Sequence, residues 1–385
     1  METNKSVCRV LITGANGLLG YHARAAILAE NCAADFNNEP HKYKLVESPR
    51  LTPNSKEEWL DLVSSANLVL HLAGINRAEP EEVENGNRVL AELLVSVLSD
   101  SGSRAHVVYA NSTHANTDTP YGRGKEKANR IFQEWADTNS TSYTNVVLPH
   151  IFGEKARPHY NNVTGTLCQQ VFLGEEPTIN EGAKVELLHA ATAVDHMLFA
   201  FTTSLTGTSR LSGTHISVKE LYELLLSFQS DYQANVFPNL SDSFKACLFN
   251  AYRTLEYPGN FPKELKLHSD ERGVLFEAVK GGGGGQSFLS WTGSGVERGN
   301  HFHRQKIERF LVISGSAEIR IRPLFEDRID VFVVSGDEPA YIDIPTLHTH
   351  SIVNTGTEPL LTLFWTHEIF DPDSPDTFAH LVSHQ

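Results

Sequence analysis

The periodicity of this chain changes once, and that change limits the fold more than any other feature. Up to residue 265, β-branched runs at 7–13, 43–46, 68–72, 106–110 and 144–148 alternate with amphipathic stretches at 19–33, 80–98 and 121–137. Such alternation builds a doubly wound parallel sheet, of α/β class, with helices on both faces. Helical stretches at 192–204 and 218–228 complete a first domain over 1–265. From 267 to 385 helical periodicity is lost, and short runs at 274–279, 288–291, 308–313, 317–322, 331–334, 340–344, 350–353 and 360–366 are divided by turn residues. This predicts an all-β sandwich or barrel. Five consecutive glycines at 281–285 read as a mobile hairpin loop within it. With 385 residues, the chain is long enough for two cores.

The formal charge of −15 disfavours nucleic acid and anionic membranes as partners. A nucleotide ligand stays compatible, because a few cations and a helix N-terminus can hold a pyrophosphate. Cys8, Cys32, Cys168 and Cys247 are scattered, so no disulfide framework is expected. The opening METNKSVCRVLITG has no apolar core for a signal peptide, and no apolar run reaches the ~18 residues of a membrane span. A cytoplasmic location is the expectation.

The segment VLITGANGLLG, residues 10–20, reads as a strand, a glycine turn and a helix start. Gly14 permits the tight turn, Gly17 lets the backbone approach a pyrophosphate, and Gly20 lets helix and strand pack. Asn16 and Leu18 lie in the same turn, making this a dinucleotide site. Tyr121 and Lys125 stand one helical turn apart on one face, and Ser112 follows the run at 106–110. Together they suit ketone reduction. A phenol of pKa ~10 becomes a useful proton donor when a nearby cation stabilises its phenolate; Lys125 would supply that charge and also hold the nicotinamide ribose, so that Tyr121 and Lys125 border the cofactor as well. Ser112 would polarise the carbonyl, with Thr113 a rival for that role. After the second run stand Glu47, Ser48 and Arg50. Arg50 and Ser48 favour the 2′-phosphate of NADPH, and Glu47 would favour NAD if it points inward.

The spacing glycine, five residues, His-x-His, four residues, Glu, six residues, glycine runs from Gly295 through His301, His303 and Glu308 to Gly315. Residues two apart in a strand share a face, so His301 and His303 can bind one ion. His350, in a stretch at 345–354 that resembles the second cupin motif, falls at the fourth ligand position. Three imidazoles and a carboxylate suit Zn2+ or another first-row divalent metal. His348, two residues from His350, is a candidate base, with Lys306 and a metal-bound water as alternatives.

These motifs resemble known families. The glycine spacing and YGRGK (121–125) resemble extended short-chain dehydrogenases, as does HLAG (71–74), where Leu72, Ala73 and Gly74 would pass the cofactor's ribose. The metal pattern resembles both cupin motifs, except that Leu347 stands where glycine is usual. The stretch 268–277 resembles nucleotide-sugar 3,5-epimerases, which implies a diphosphate contact for Arg272; an ion pair with Glu277 is the alternative. With HLAGINR (71–77), FGEKARPHYNN (152–162), GNHFH (299–303) and FDPDSPDTF (370–378), nearly the whole chain resembles the CapF/WbjC-like UDP-2-acetamido-2,6-dideoxy-hexulose reductases of capsule and O-antigen synthesis. That resemblance implies a homodimer and a UDP-linked 4-keto-6-deoxy amino sugar as substrate. It also implies C3 epimerisation by the cupin, followed by C4 reduction with NADPH. It places Asn76, Arg77, Arg157, His159, Tyr160 and Asn161 near the substrate.

Two other readings remain. The cupin can be a metal-stabilised binding and dimerisation module beside an active reductase. Alternatively, the chain is a non-enzymatic NADP(H) sensor, which the Ser112–Tyr121–Lys125 set disfavours, since a sensor needs no proton donor.

Overall fold

The computed structural model describes residues 7–383. Its contacts divide into two compact units, one holding the chain up to Thr166 with Gly182–Val218, the other Leu167–Glu181 and everything from Lys219 onward. The boundary therefore differs from the composition switch near 267. The helices Val218–Gln233 and Ser243–Arg253 belong with the β-rich unit. Side-chain contacts give the reason. Tyr232 donates a hydrogen bond to Asp343, Arg309 donates one to Asn235, and Phe237 stacks on Trp365 with centroids 4.2 Å apart.

In the first unit the strands are β1 Cys8–Thr13, β2 Tyr43–Val46, β3 Leu68–His71, β4 His106–Ser112, β5 Tyr143–Leu148, β6 His150–Phe152, β7 Lys184–His189, β8 Gly207–Arg210 and β9 Thr214–Ser217. The helices are α1 Leu18–Phe36, α2 Lys56–Ser64, α3 Pro80–Asp100, α4 Pro120–Asn139, α5 Val163–Leu173 (continuing into the second unit) and α6 Ala190–Thr202. A six-stranded parallel sheet runs in the order β2-β1-β3-β4-β5-β8, and a smaller sheet in the order β6-β7-β9. Its doubly wound, Rossmann-type order reverses between β1 and β3, where the loops at the strand ends open a crevice.

Apolar residues on the two faces form separate cores. Trp59, Leu94, Val97 and Phe132 pack on one side, and Ile27, Val194 and Met197 on the other. Helix starts follow local chemistry. Pro80 opens α3 with Glu81 and Glu82 in its first turn, where acidic groups favour the helix dipole. Thr119 caps α4 by accepting from the Gly122 amide at 3.0 Å.

In the second unit two five-stranded antiparallel sheets form a cupin-type jelly roll. One runs Lys263–Glu264, Ala340–Ile344, Glu308–Ser314, Leu360–Thr366, Gln286–Thr292. The other runs Asp330–Ser335, Ser316–Pro323, His348–Asn354, Glu297–Phe302, Phe378–Ala379. The glycine run is not a hairpin loop. Lys280–Gly281 pairs in parallel with Val236–Phe237, and the Gly282 amide donates to the Phe237 carbonyl at 2.7 Å. Among the described residues no helix is long and apolar enough to cross a membrane.

Candidate functional site

At the switch point, Gly14 has φ +74°, and a Cβ there would lie 2.9 Å from the Ala73 backbone. The glycine turn and the HLAG loop therefore touch, and any larger residue would part them. The Ala73 amide donates to Thr13 Oγ1 at 3.2 Å, holding the loop against β1. Asn87, buried in α3, holds its other side, accepting from the Ile75 amide at 3.2 Å and donating to the Ile75 carbonyl at 2.7 Å. The sequence reading passed over Asn87; an asparagine on the apolar face of a helix was the available signal.

A cleft of about 620 Å³ opens here. Gly14, Gly17, Leu18, Gly20, Leu72 and Gly74 line one part, and Ser112, Tyr121 and Lys125 the middle. Asn76, Arg157, Tyr160 and Asn161 complete it, joined by Lys155 and Asn162, which the sequence reading did not single out. Tyr121 is hydrogen-bonded to Ser112, which pulls its phenol down against the larger, raising effect of burial. Ser112 lines the cleft, whereas Thr113 opens the short helix after it and is not among the lining residues. Lys125 is 6% exposed and donates to the Ala110 carbonyl at 2.6 Å. Burial lowers its ammonium to about 7.

Other expected residues stand outside the cleft lining. Arg50 and Arg77 are exposed, and so is Asn16, whose Oδ1 accepts from Arg24 at 3.3 Å. Glu47 acts on Arg24 electrostatically, which puts this unforeseen cation near the end of β2. His159 also lies outside the lining.

In the jelly roll, His301, His303, Glu308 and His350 converge, with one ligand atom from each within 4.8 Å of the others. Glu308 Oε2 lies 3.0 Å from His303 Nε2, 3.1 Å from His350 Nε2 and 3.8 Å from His301 Nε2. His303 Nδ1 is 2.6 Å from the Asp376 carbonyl and His350 Nδ1 3.3 Å from the His348 carbonyl. Those contacts turn both Nε2 atoms inward, the orientation a metal requires. Burial alone would raise the Glu308 carboxyl, but hydrogen bonds from the three histidines hold it well below its usual range. Burial, reinforced by His301, lowers His350 to about 4. His303 is shifted the other way: burial would lower it, but Glu308 and Asp376 outweigh that and raise it, so a cation must displace its proton; three imidazoles converging on one carboxylate are nonetheless a donor set that fits a first-row divalent ion.

Asp376 also organises the loop between His303 and Glu308. Its carboxylate accepts from the amides of Arg304, Gln305 and Lys306 at 3.0, 2.8 and 2.7 Å. Leu347 keeps a left-handed turn, φ +60°, while its side chain is buried.

A cavity of about 380 Å³ adjoins the cluster, lined by His301, His303 and Glu308 together with Arg298, Lys306 and Phe364 among others. His348 is not among its lining residues. The left-handed Leu347 starts the strand at His348, whose ring packs on Tyr257 with centroids 5.1 Å apart and whose Nδ1 lies 2.7 Å from the Thr346 carbonyl. Arg272, 85% exposed on its side chain, pairs with Asp270 and likewise does not line this cavity. No ion pair between Arg272 and Glu277 is present; Glu277 pairs with Lys280 at 3.4 Å.

Residues 10–211 match the NAD dependent epimerase/dehydratase family, and residues 268–378 a polysaccharide biosynthesis C-terminal domain. The chain is 28% identical over 376 residues to the UDP-2-acetamido-2,6-beta-L-arabino-hexul-4-ose reductase of Pseudomonas aeruginosa, covering 96% of this chain and 98% of that one. It is 29% identical over 124 residues to the spore coat polysaccharide biosynthesis protein SpsL of Bacillus subtilis, covering 30% of this chain and 82% of that protein. The crystal structure of the capsular polysaccharide assembling protein CapF from Staphylococcus aureus matches with a TM-score of 0.59 and 26% identity, covering 97% of this chain and 99% of that one.

Proposed function

We propose, from the premise that the chain belongs to the NAD dependent epimerase/dehydratase family and is CapF/WbjC-like along its length, that it is a bifunctional sugar-nucleotide enzyme. The jelly roll epimerises C3 of a UDP-2-acetamido-2,6-dideoxy-4-hexulose. The N-terminal unit then reduces C4, towards UDP-N-acetyl-L-fucosamine for surface polysaccharide. The observation that carries this reading is that Ser112, Tyr121 and Lys125 share one cleft with the glycine turn.

NADPH, when bound, supplies the hydride for C4. Tyr121 protonates the developing C4 oxygen, Ser112 donates a hydrogen bond to the same oxygen, and Lys125 favours the phenolate that Tyr121 leaves behind. Epimerisation comes first, because the C3 hydrogen is acidic only while C4 is a ketone. His301, His303, Glu308 and His350 would hold the metal, which when bound offers Lewis acidity to a sugar oxygen. Outside those four, the ionisable side chains lining the cavity are Arg298 and Lys306. A guanidinium stays protonated, so Lys306 stands in place of His348 as the base that removes the C3 proton, once its ammonium, which donates to the Pro375 carbonyl and Thr377 Oγ1, has released a proton to solvent. Exposed Leu289, Trp291, Val331 and Val333 on the edge strands Gln286–Thr292 and Asp330–Ser335 support the homodimer.

The test is to incubate the full chain with the UDP-4-keto-6-deoxy amino sugar in deuterated water, with and without NADPH, and read products by NMR. Deuterium at C3 without NADPH and a C4 alcohol with it are expected. Reduction without any C3 exchange would leave the cupin as a binding module.

A further inference from the structure

A second histidine–carboxylate set lies buried in the N-terminal unit; Glu154 falls in the 152–162 stretch, while no motif read in the sequence includes His22 or His189. His22 on α1, Glu154 just after β6 and His189 at the end of β7 are 2%, 3% and 5% exposed. His189 Nε2 lies 3.0 Å from Glu154 Oε2, and His22 Nε2 lies 3.6 Å from the same oxygen. The two rings meet edge to face, with centroids 5.3 Å apart. One donor atom from each residue falls within 4.8 Å of the others.

We propose that His22, Glu154 and His189 form a second, structural metal site for Zn2+ or another first-row divalent ion.

Spacing is the first support. Two ligands at the usual 2.0–2.2 Å from a tetrahedral ion stand about 3.3 Å apart, and the two nitrogen–oxygen separations straddle that value. In the jelly-roll cluster two Nε2 atoms also meet one carboxylate oxygen, at 3.0 and 3.1 Å. The second support is room. Gly153 has φ +149°, and a Cβ there would lie 3.0 Å from His189 Nε2 and 3.3 Å from His22 Nε2. Any side chain at 153 would intrude on the two donor nitrogens.

A filled shell is the third. The Glu154 carbonyl, 3.2 Å from His22 Nε2, offers a fourth donor. A shell filled by the protein is structural rather than catalytic. Such an ion would tie the cofactor helix α1 to the segment that carries Lys155, Arg157, Tyr160 and Asn161 into the cleft.

The test uses the full chain with His301→Ala and His303→Ala, which removes half of the jelly-roll ligands. The protein is stripped with chelator, loaded with Zn2+ or Co2+, desalted and assayed for metal. The proposal expects about one equivalent to remain and the Co2+ spectrum to show the intense visible bands of a tetrahedral site. Adding Glu154→Gln or His189→Asn should abolish that equivalent and lower thermal stability only in metal-loaded samples. A double variant that retains no metal would overturn the proposal, whether or not the Glu154 and His189 variants fold. Persistence of the equivalent in folded Glu154→Gln and His189→Asn proteins would overturn it equally. Equal metal content in wild type and double variant would count against the jelly-roll cluster and leave this site standing.

Discussion

Arg309 and Asp343 form a two-pronged ion pair with both side chains fully buried: Nε to Oδ1 is 2.6 Å and Nη2 to Oδ2 is 2.8 Å. The guanidinium lies 3.5 Å from the Tyr341 ring centroid and 4.5 Å from that of Phe237, and it also donates to Asn235. Arg309 neighbours Glu308 of the histidine–carboxylate cluster in one strand, so successive side chains serve different ends: one faces the cluster, the other fastens residues 232–237 to the sheet.

Asp343→Ala strands that guanidinium in the interior and should cost about 3–5 kcal/mol of stability, read from chemical denaturation of the full chain. Replacing both partners with apolar residues should cost less than removing Asp343 alone. The reverse order would show that the pair itself, and not the stranded charge, dominates.

Tyr121→Phe keeps the ring and loses the transferable proton. NADPH binding should stay nearly intact while turnover falls on the order of 10²-fold or more. Cofactor affinity by fluorescence titration and stopped-flow reduction separate the two effects, and a variant that retains most of its turnover removes Tyr121 from the mechanism.

Lys125, lowered to about 7 by burial, loses its charge as pH rises through that value. The kcat/KM for NADPH, which reports the free enzyme, should therefore fall above about pH 7. Lys125→Arg should move that limb upward if the protein tolerates the larger group. Stability has the opposite slope: between about 7 and the ordinary lysine value of 10.5 the unfolded chain binds more protons, so folding gains as pH rises. A flat kcat/KM profile across neutrality would separate Lys125 from cofactor capture.

Arg50→Ala should raise KM for NADPH far more than for NADH, because only NADPH carries the 2′-phosphate. Equal effects would direct attention to Ser48 and to Arg24, the cation beside Asn16 and Glu47.

Lys306→Met should abolish C3 deuterium exchange while bound metal, measured by elemental analysis, stays unchanged. His348→Ala should leave most of the exchange, since its ring lies against Tyr257 outside the cavity lining. Loss of exchange in the His348 variant with metal retained would restore it as the base.

Local sequence determined the elements and the motifs they carry. A glycine turn between strand and helix, Tyr121 and Lys125 one turn apart, and two histidines around one phenylalanine are short-range facts. Backbone sterics and side-chain periodicity translate them directly into geometry. Tertiary structure decided everything that depends on distant partners. It joined residues 219–265 to the jelly roll through Arg309 and Asp343, and chose Ser112 over Thr113 for the cleft. It turned His348 toward Tyr257, and brought Asp376 back to the Lys306 amide across 70 residues. It also assembled His22, Glu154 and His189 from three separate elements. Periodicity records which face of an element is buried but not what that face meets. Burial energy is non-directional, so the choice among distant partners is made only when hydrogen bonds and charges must be satisfied together in one packed interior.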